Sequence, residues 1–99
     1  MKLRATPLGS GRRRHRIFRL ALNLLLVFKP RGHREDEHAH PHRQRLRVLH
    51  GRLVVRTTRG TTTLTPTSRA LTLAAGRRHS TRAVSDTWLI AESLPPADR

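Results

Sequence analysis

The sequence predicts an all-β protein, a small antiparallel β-barrel or sandwich, and three observations predict it. Apolar residues fall in short runs separated by Gly and Pro, β-branched Thr and Val crowd the middle of the chain, and no segment shows a convincing amphipathic-helix repeat. With 99 residues the chain suits one domain with a small, economical core. Leu, Ile, Val and Phe number 24 of 99, above the roughly 20% below which a charged chain tends to stay disordered.

Residues 1–16 are basic, punctuated by Pro7, Gly9 and Gly11, with Arg12 to Arg14 unbroken, and read as a flexible N-terminal segment. The barrel domain is expected over 17–95, with a short tail over 96–99. From Ile17 to Phe28 the chain turns apolar and exits through Pro30 and Gly32. Its length and that exit favour strand over helix, and Leu20 to Phe28 is expected to form one buried strand. Gly32 to Gln44 is polar and rich in His, with Glu35-Asp36-Glu37 expected as a solvated acidic turn beside the abundant Arg. Leu46 to Val55 is apolar again, and Gly51 suggests a tight turn between two strands. Leu53-Val54-Val55 and the Thr61 to Thr65 run flank Arg59-Gly60 as a hairpin, which Pro66 closes. Leu71 and Leu73 alternate with smaller partners before Gly76 turns the chain. Thr87 to Glu92 makes the last strand, with Trp88 as a core anchor, before Pro95-Pro96. Six or seven strands are expected in all.

Lys and Arg total 21 against 6 Asp and Glu, a formal charge of +15, so nonspecific contact with polyanions such as nucleic acid is expected. The Arg residues are spread along the chain rather than gathered on one face, which argues against a dedicated nucleic-acid interface. The absence of Cys excludes disulfides, thiolate zinc sites and thiol nucleophiles. Leu20 to Phe28 is too short to cross a bilayer as a helix, and no A-x-A-like cleavage site follows it. A cytoplasmic protein without a transmembrane segment is expected.

His38 and His40 sit two apart, a spacing that on a strand turns both imidazoles to one face, where they can share an ion. Neutral imidazole nitrogen suits Zn, Fe, Ni, Cu and Mn. A solvated His-rich loop is the alternative, since His33 and His42 lie nearby. His42 and His50 are read as surface residues, and Ser80 has no orienting carboxylate that would make it a nucleophile.

The segment His38-Ala39-His40-Pro41-His42-Arg43-Gln44, followed by Val48-Leu49-His50-Gly51, resembles the first motif of the cupin superfamily: H-x-H, three residues, Glu, six residues, Gly. Gln44 stands at the Glu position and Gly51 at the closing Gly. Ser68 through Ala83 is similar in spacing to the second motif, with Ser68, Ala74, Gly76, His79 and Ala83 at its Gly, Pro, Gly, His and Asn positions. The 16 residues between the motifs suit the family, and the likeness runs from about Ile17 to Pro95.

The resemblance implies the jelly-roll β-barrel of the cupin type. It implies His38, His40 and His79 as metal ligands, with Gln44 in the fourth position, for a divalent transition metal (Mn, Fe, Ni or Zn). An amide oxygen offers a dipole where a carboxylate offers a charge, so this site should hold its ion less firmly. The expected partner is a small anionic molecule inside the barrel, bound by a homodimer to which Leu20–Phe28 contributes. If the protein is an enzyme, the resemblance implies a metal-dependent dioxygenase or isomerase. The alternatives are a degenerate, non-catalytic ligand-binding or interaction module, a basic nucleic-acid-associated protein, and a chain without a stable fold.

Overall fold

The computed structural model describes residues 3–6 and 14–95, and among these ten strands form and no helix. The strands are Leu3–Thr6 (β1), His15–Ala21 (β2), Leu24–Lys29 (β3), Arg34–His38 (β4), Arg43–His50 (β5), Leu53–Thr57 (β6), Gly60–Leu64 (β7), Leu71–Leu73 (β8), His79–Ala83 (β9) and Thr87–Leu94 (β10). They pair antiparallel throughout, in a six-stranded sheet ordered β1-β2-β3-β10-β5-β8 and a four-stranded sheet ordered β4-β9-β6-β7. The expected all-β class holds, as a jelly roll of two antiparallel sheets about one interior.

Burial alternates along β10, where Thr87, Leu89 and Ala91 point inward and Trp88, Ile90 and Glu92 outward. Leu89 and Ala91 meet Val27 of β3, Leu46 and Val48 of β5, Leu53 and Val55 of β6, Leu64, Leu73 and Ala83 in one apolar cluster. Leu53, Val55 and Ala83 are fully buried there. The β6–β7 hairpin turns where expected, with Thr57 opposite Gly60. The Thr-rich β7 is an edge strand exposed at every residue but Leu64, a polar edge that discourages pairing with other chains.

Four expectations are corrected, the first being the strand count, which is ten among the described residues where six or seven were expected. The Ile17–Phe28 run is not one strand: Leu22 and Asn23 form a two-residue turn between β2 and β3, and Leu22 is 94% exposed. Asn23 fastens that turn to the far end of β10, its Nδ2 donating to the Ser93 carbonyl (3.2 Å) and its carbonyl accepting from the Ser93 amide (2.8 Å). Gly51 makes the expected tight turn between two strands, and at φ +93° it carries the chain from one sheet to the other, β5 to β6. A side chain there would meet the Asp86 carbonyl oxygen, which is why only Gly fits. Glu35-Asp36-Glu37 lies within strand β4 rather than in a turn. Trp88 is no core anchor: it lies on the outer side of the six-stranded sheet, its ring 4.9 Å from Phe28 and 6.1 Å from Phe18.

The basic segment expected over 1–16 falls partly outside the described residues, at 1–2 and 7–13, while Leu3–Thr6 pairs with β2 and His15 already belongs to β2. The tail at 96–99 lies outside them too. No helix among the described residues is long and apolar enough to cross a membrane.

Candidate functional site

The three histidines reach one point from two strands. His38 ends β4 and His79 opens β9, and the two are partners across the strand pair. His40 follows two residues beyond β4, where its carbonyl accepts a 2.7 Å hydrogen bond from the Gly76 amide. Gly76 takes φ +75°, so the turn that leads into His79 is tied directly to the strand end that presents His40. The ring centroids stand 4.4 Å (His38–His79), 4.8 Å (His38–His40) and 5.3 Å (His40–His79) apart. One ligand nitrogen from each lies within 4.8 Å of the others.

Hydrogen bonding sets the tautomers. His38 Nδ1 lies 2.7 Å from the Asp36 carbonyl oxygen and His79 Nδ1 lies 3.1 Å from the Arg77 carbonyl oxygen. A carbonyl can only accept, so each Nδ1 carries a proton, and in the neutral ring the lone pair then sits on Nε2. Backbone carbonyls holding Nδ1–H in this way are the common outer support of metal-binding imidazoles. Burial, with the neighbouring imidazoles, lowers the pKa of His40, and Glu35 only partly opposes this. Burial lowers that of His79 too, against the Arg77 hydrogen bond. Those two rings are therefore held neutral, the form that ligates. The donor set fits a borderline divalent ion of the Zn, Fe, Ni or Mn kind.

The histidines open on a cavity of about 140 Å³ between the sheets, walled by Ile17, Leu25, Val27, Leu46, Leu53, Leu89 and Ala91. Gln44, near the start of β5, lines the same cavity, so all four sequence-predicted site residues meet there. His42 does not join them: its Nε2 shares a 3.0 Å hydrogen bond with Ser93 Oγ. His50 is exposed. A larger groove of about 420 Å³ runs along Arg34, Arg56 and Arg82, outside the barrel and without any of the histidines.

The cavity also holds polar residues that the sequence pattern passed over. Lys29, at the end of β3, is 4% exposed and donates to Glu35 Oε1 at 3.1 Å. Glu35 Oε2 in turn lies 3.9 Å from His38 Nε2. Residues three apart on a regular strand face opposite sides, yet Glu35 and His38 both face inward. An extra residue in β4 explains it: Glu35 pairs with Thr81 and His38 with His79, so three steps on β4 match two on β9. Burial alone would raise the Glu35 carboxyl, but the charge and hydrogen bond of Lys29, with His38 and His15, outweigh it and hold it below the usual carboxylate range. His15, on β2, completes the polar wall, its ring 4.5 Å from His33. Burial first, then the Lys29 charge, lowers the His15 pKa to about 4. One signal for Lys29 was present in the sequence: a lysine ends an apolar strand in a chain whose cations are otherwise almost all Arg.

No protein-family profile and no curated protein matches this sequence. Solved structures do match in fold. A RmlC-like cupin from Shewanella frigidimarina superposes with a TM-score of 0.71 at 20% identity, over 99% of this chain and 87% of that one. KdgF from Halomonas sp. gives 0.66 at 24% identity, over 86% and 80%. Drosophila melanogaster CENP-C, in a structure where it is bound to CAL1, gives 0.71 at 13% identity, over 93% and 80%. At such identities the likeness establishes the fold, and the fold is that of the cupins.

Proposed function

We propose that this cupin-fold chain binds a divalent transition metal through His38, His40 and His79, with Gln44 at the fourth position, and takes a small anionic molecule into the cavity beside it. The observation that carries the reading is the convergence of three histidine nitrogens within 4.8 Å of one another on the wall of a cavity between the sheets. The preset Nε2 lone pairs of His38 and His79 support it, because such rings need no tautomer change to ligate. A bound ion would supply Lewis acidity, with open positions for water or ligand oxygen. The chain's own contribution is to hold three imidazoles in place, to keep bulk water from the apolar walls, and to offer Glu35 as a charged acceptor beside His38.

Elemental analysis of the purified, untagged protein tests this, with His38→Ala and His79→Ala beside the wild type. Near-stoichiometric Mn, Fe, Ni or Zn in the wild type and its loss from both variants is the expected result. A wild type that stays metal-free after incubation with each ion and dialysis sinks the metal reading.

Gln44 favours a second reading, a non-catalytic binding or interaction module, since the position that would bring a fixed negative charge to the ion carries an amide instead. Homodimerisation belongs to either reading. Phe18, Leu26, Trp88 and Ile90 occupy adjoining positions on the outer side of the six-stranded sheet, a surface apolar enough to support it. Light scattering on the eluted protein measures it directly.

A further inference from the structure

The inner wall of the cavity carries more unspent hydrogen-bonding capacity than a closed apolar interior tolerates. His15 Nε2 and Thr81 Oγ1 are both buried, both line the cavity, and neither has a hydrogen-bond partner. His15 is 8% exposed and Thr81 7%. Lys29 adds to this: its ammonium has three N–H donors and, among the described residues, spends one, on Glu35. Buried polar atoms in folded proteins are nearly always satisfied, and each that is not is destabilising. Two orphaned atoms and an underused ammonium on one wall therefore point to an occupant.

Their placement says what kind. Thr81 is the cross-strand partner of Glu35, one rung from the His38–His79 pair. Lys29 reaches the same carboxylate from the opposite sheet. The three groups can all present hydrogens: ammonium, hydroxyl and imidazole N–H. A ligand group that accepts from all of them needs at least two oxygens with several lone pairs, and a negative charge to suit the ammonium. The remaining walls are aliphatic and the space is only about 140 Å³, so the rest of the ligand is short and apolar.

We infer that Lys29, Thr81 and His15 form a carboxylate clamp on the cavity wall, selecting a short-chain carboxylic acid whose other end faces His38, His40 and His79. The clamp deepens the reading of this cavity as a ligand site, but its residues are not metal ligands and it does not require the ion. Glu35 positions the Lys29 ammonium and does not touch the ligand carboxylate.

NMR titration of the isotope-labelled protein with propanoate tests it, with propan-1-ol as the uncharged control of equal chain length. The wild type is expected to bind propanoate saturably, with the largest shifts at the Lys29 and Thr81 amides, and to bind propan-1-ol at least about tenfold more weakly. Lys29→Met should lower propanoate affinity by about tenfold or more, and Thr81→Val by several-fold. Thr81→Val keeps the side-chain shape and removes an unpartnered buried hydroxyl, so its stability should hold or rise while binding falls, an outcome no structural role of Thr81 would produce. Absence of saturable binding, equal binding of acid and alcohol, or unchanged affinity in both variants overturns the clamp. Metal content measured on the same samples separates the two readings. Clamp-dependent binding by protein that stays metal-free after incubation with each ion keeps the clamp and removes the metal, and metal-loaded protein without such binding does the reverse.

Discussion

Removing Glu35 should cost far more stability than removing Lys29, although the two form one ion pair. The asymmetry comes from exposure: the Lys29 side chain is 5% exposed and the Glu35 side chain 41%. Glu35→Leu leaves an ammonium buried without its counter-charge, a change that costs about 3 kcal/mol in such settings. Lys29→Met keeps the apolar stem and leaves a carboxylate that can turn to water, a cost of about 1 kcal/mol or less. The double variant replaces a charged pair with apolar groups of similar size and should fall within about 1 kcal/mol of the wild type. The coupling energy across the cycle is then about 2–3 kcal/mol. Urea unfolding followed by Trp88 fluorescence at neutral pH reads all four proteins. With a slope near 1 kcal/mol per molar urea for a domain this small, Glu35→Leu should move the midpoint down by at least about 2 M. Equal losses in the two single variants, or a double variant that loses their sum, would refute the placement of Lys29 as the dependent, buried partner.

Acid should destabilise the fold well before the carboxylates titrate. His15 has a folded pKa of about 4 against an ordinary 6.5, so below 6.5 the unfolded chain takes up a proton that the folded one refuses. The stability this residue contributes is complete above pH 6.5 and is lost as the pH falls towards 4, up to about 3 kcal/mol in total. His33, lowered by burial and then by Lys29, acts in the same direction. Urea midpoints across pH 7.5, 5.5 and 4 should show the loss, and His15→Leu should flatten the profile; an unchanged slope in that variant would remove His15 as its source. Gly51→Ala should cost at least about 3 kcal/mol, from a left-handed backbone and a clash with the Asp86 carbonyl and Thr87. The clash would also disturb Thr87 Oγ1, which accepts from the Arg52 amide and lies 2.8 Å from the Ser85 carbonyl. A midpoint within about 0.5 M urea of the wild type would mean that the crossing between the sheets yields more than this geometry implies.

The outer part of the site was legible because spacing translates into geometry. His38 and His40 share a strand end, and the resemblance of Ser68 to Ala83 to the second cupin motif added His79 to them. The inner part was hidden by a bulge. Strand parity places Glu35 and His38 on opposite faces, and only the extra residue in β4 turns both inward, an event with no marker in Glu35-Asp36-Glu37 itself. The acidic stretch was therefore read as a solvated turn in preference to a source of a carboxylate for the site. Asn23 was visible as the one polar residue in an apolar run, but its role as a turn depends on a bond to Ser93, some 70 positions away. Long-range partners of that kind decide whether a polar residue interrupts a strand or ends it.

The charges on the cavity wall bear on what Gln44 is for. Neutral imidazoles and an amide bring no charge to a divalent ion, and Glu35 is already balanced by Lys29. An ion held there alone would leave its charge uncompensated among aliphatic walls, which is costly. A carboxylate ligand entering alone would face Glu35 with only Lys29 between the two. On the proposed reading each would relieve the other, and by linkage each would raise the affinity of the other by the same factor. Gln44→Glu supplies a fixed charge in place of the one the ligand brings. Metal affinity, measured by competition with a chromophoric chelator, should rise about tenfold, while its dependence on added propanoate should shrink. A carboxylate at position 44 that leaves both quantities unchanged would place this residue outside the ion's coordination sphere, and the anion dependence would then have to arise at Lys29 and Glu35 alone.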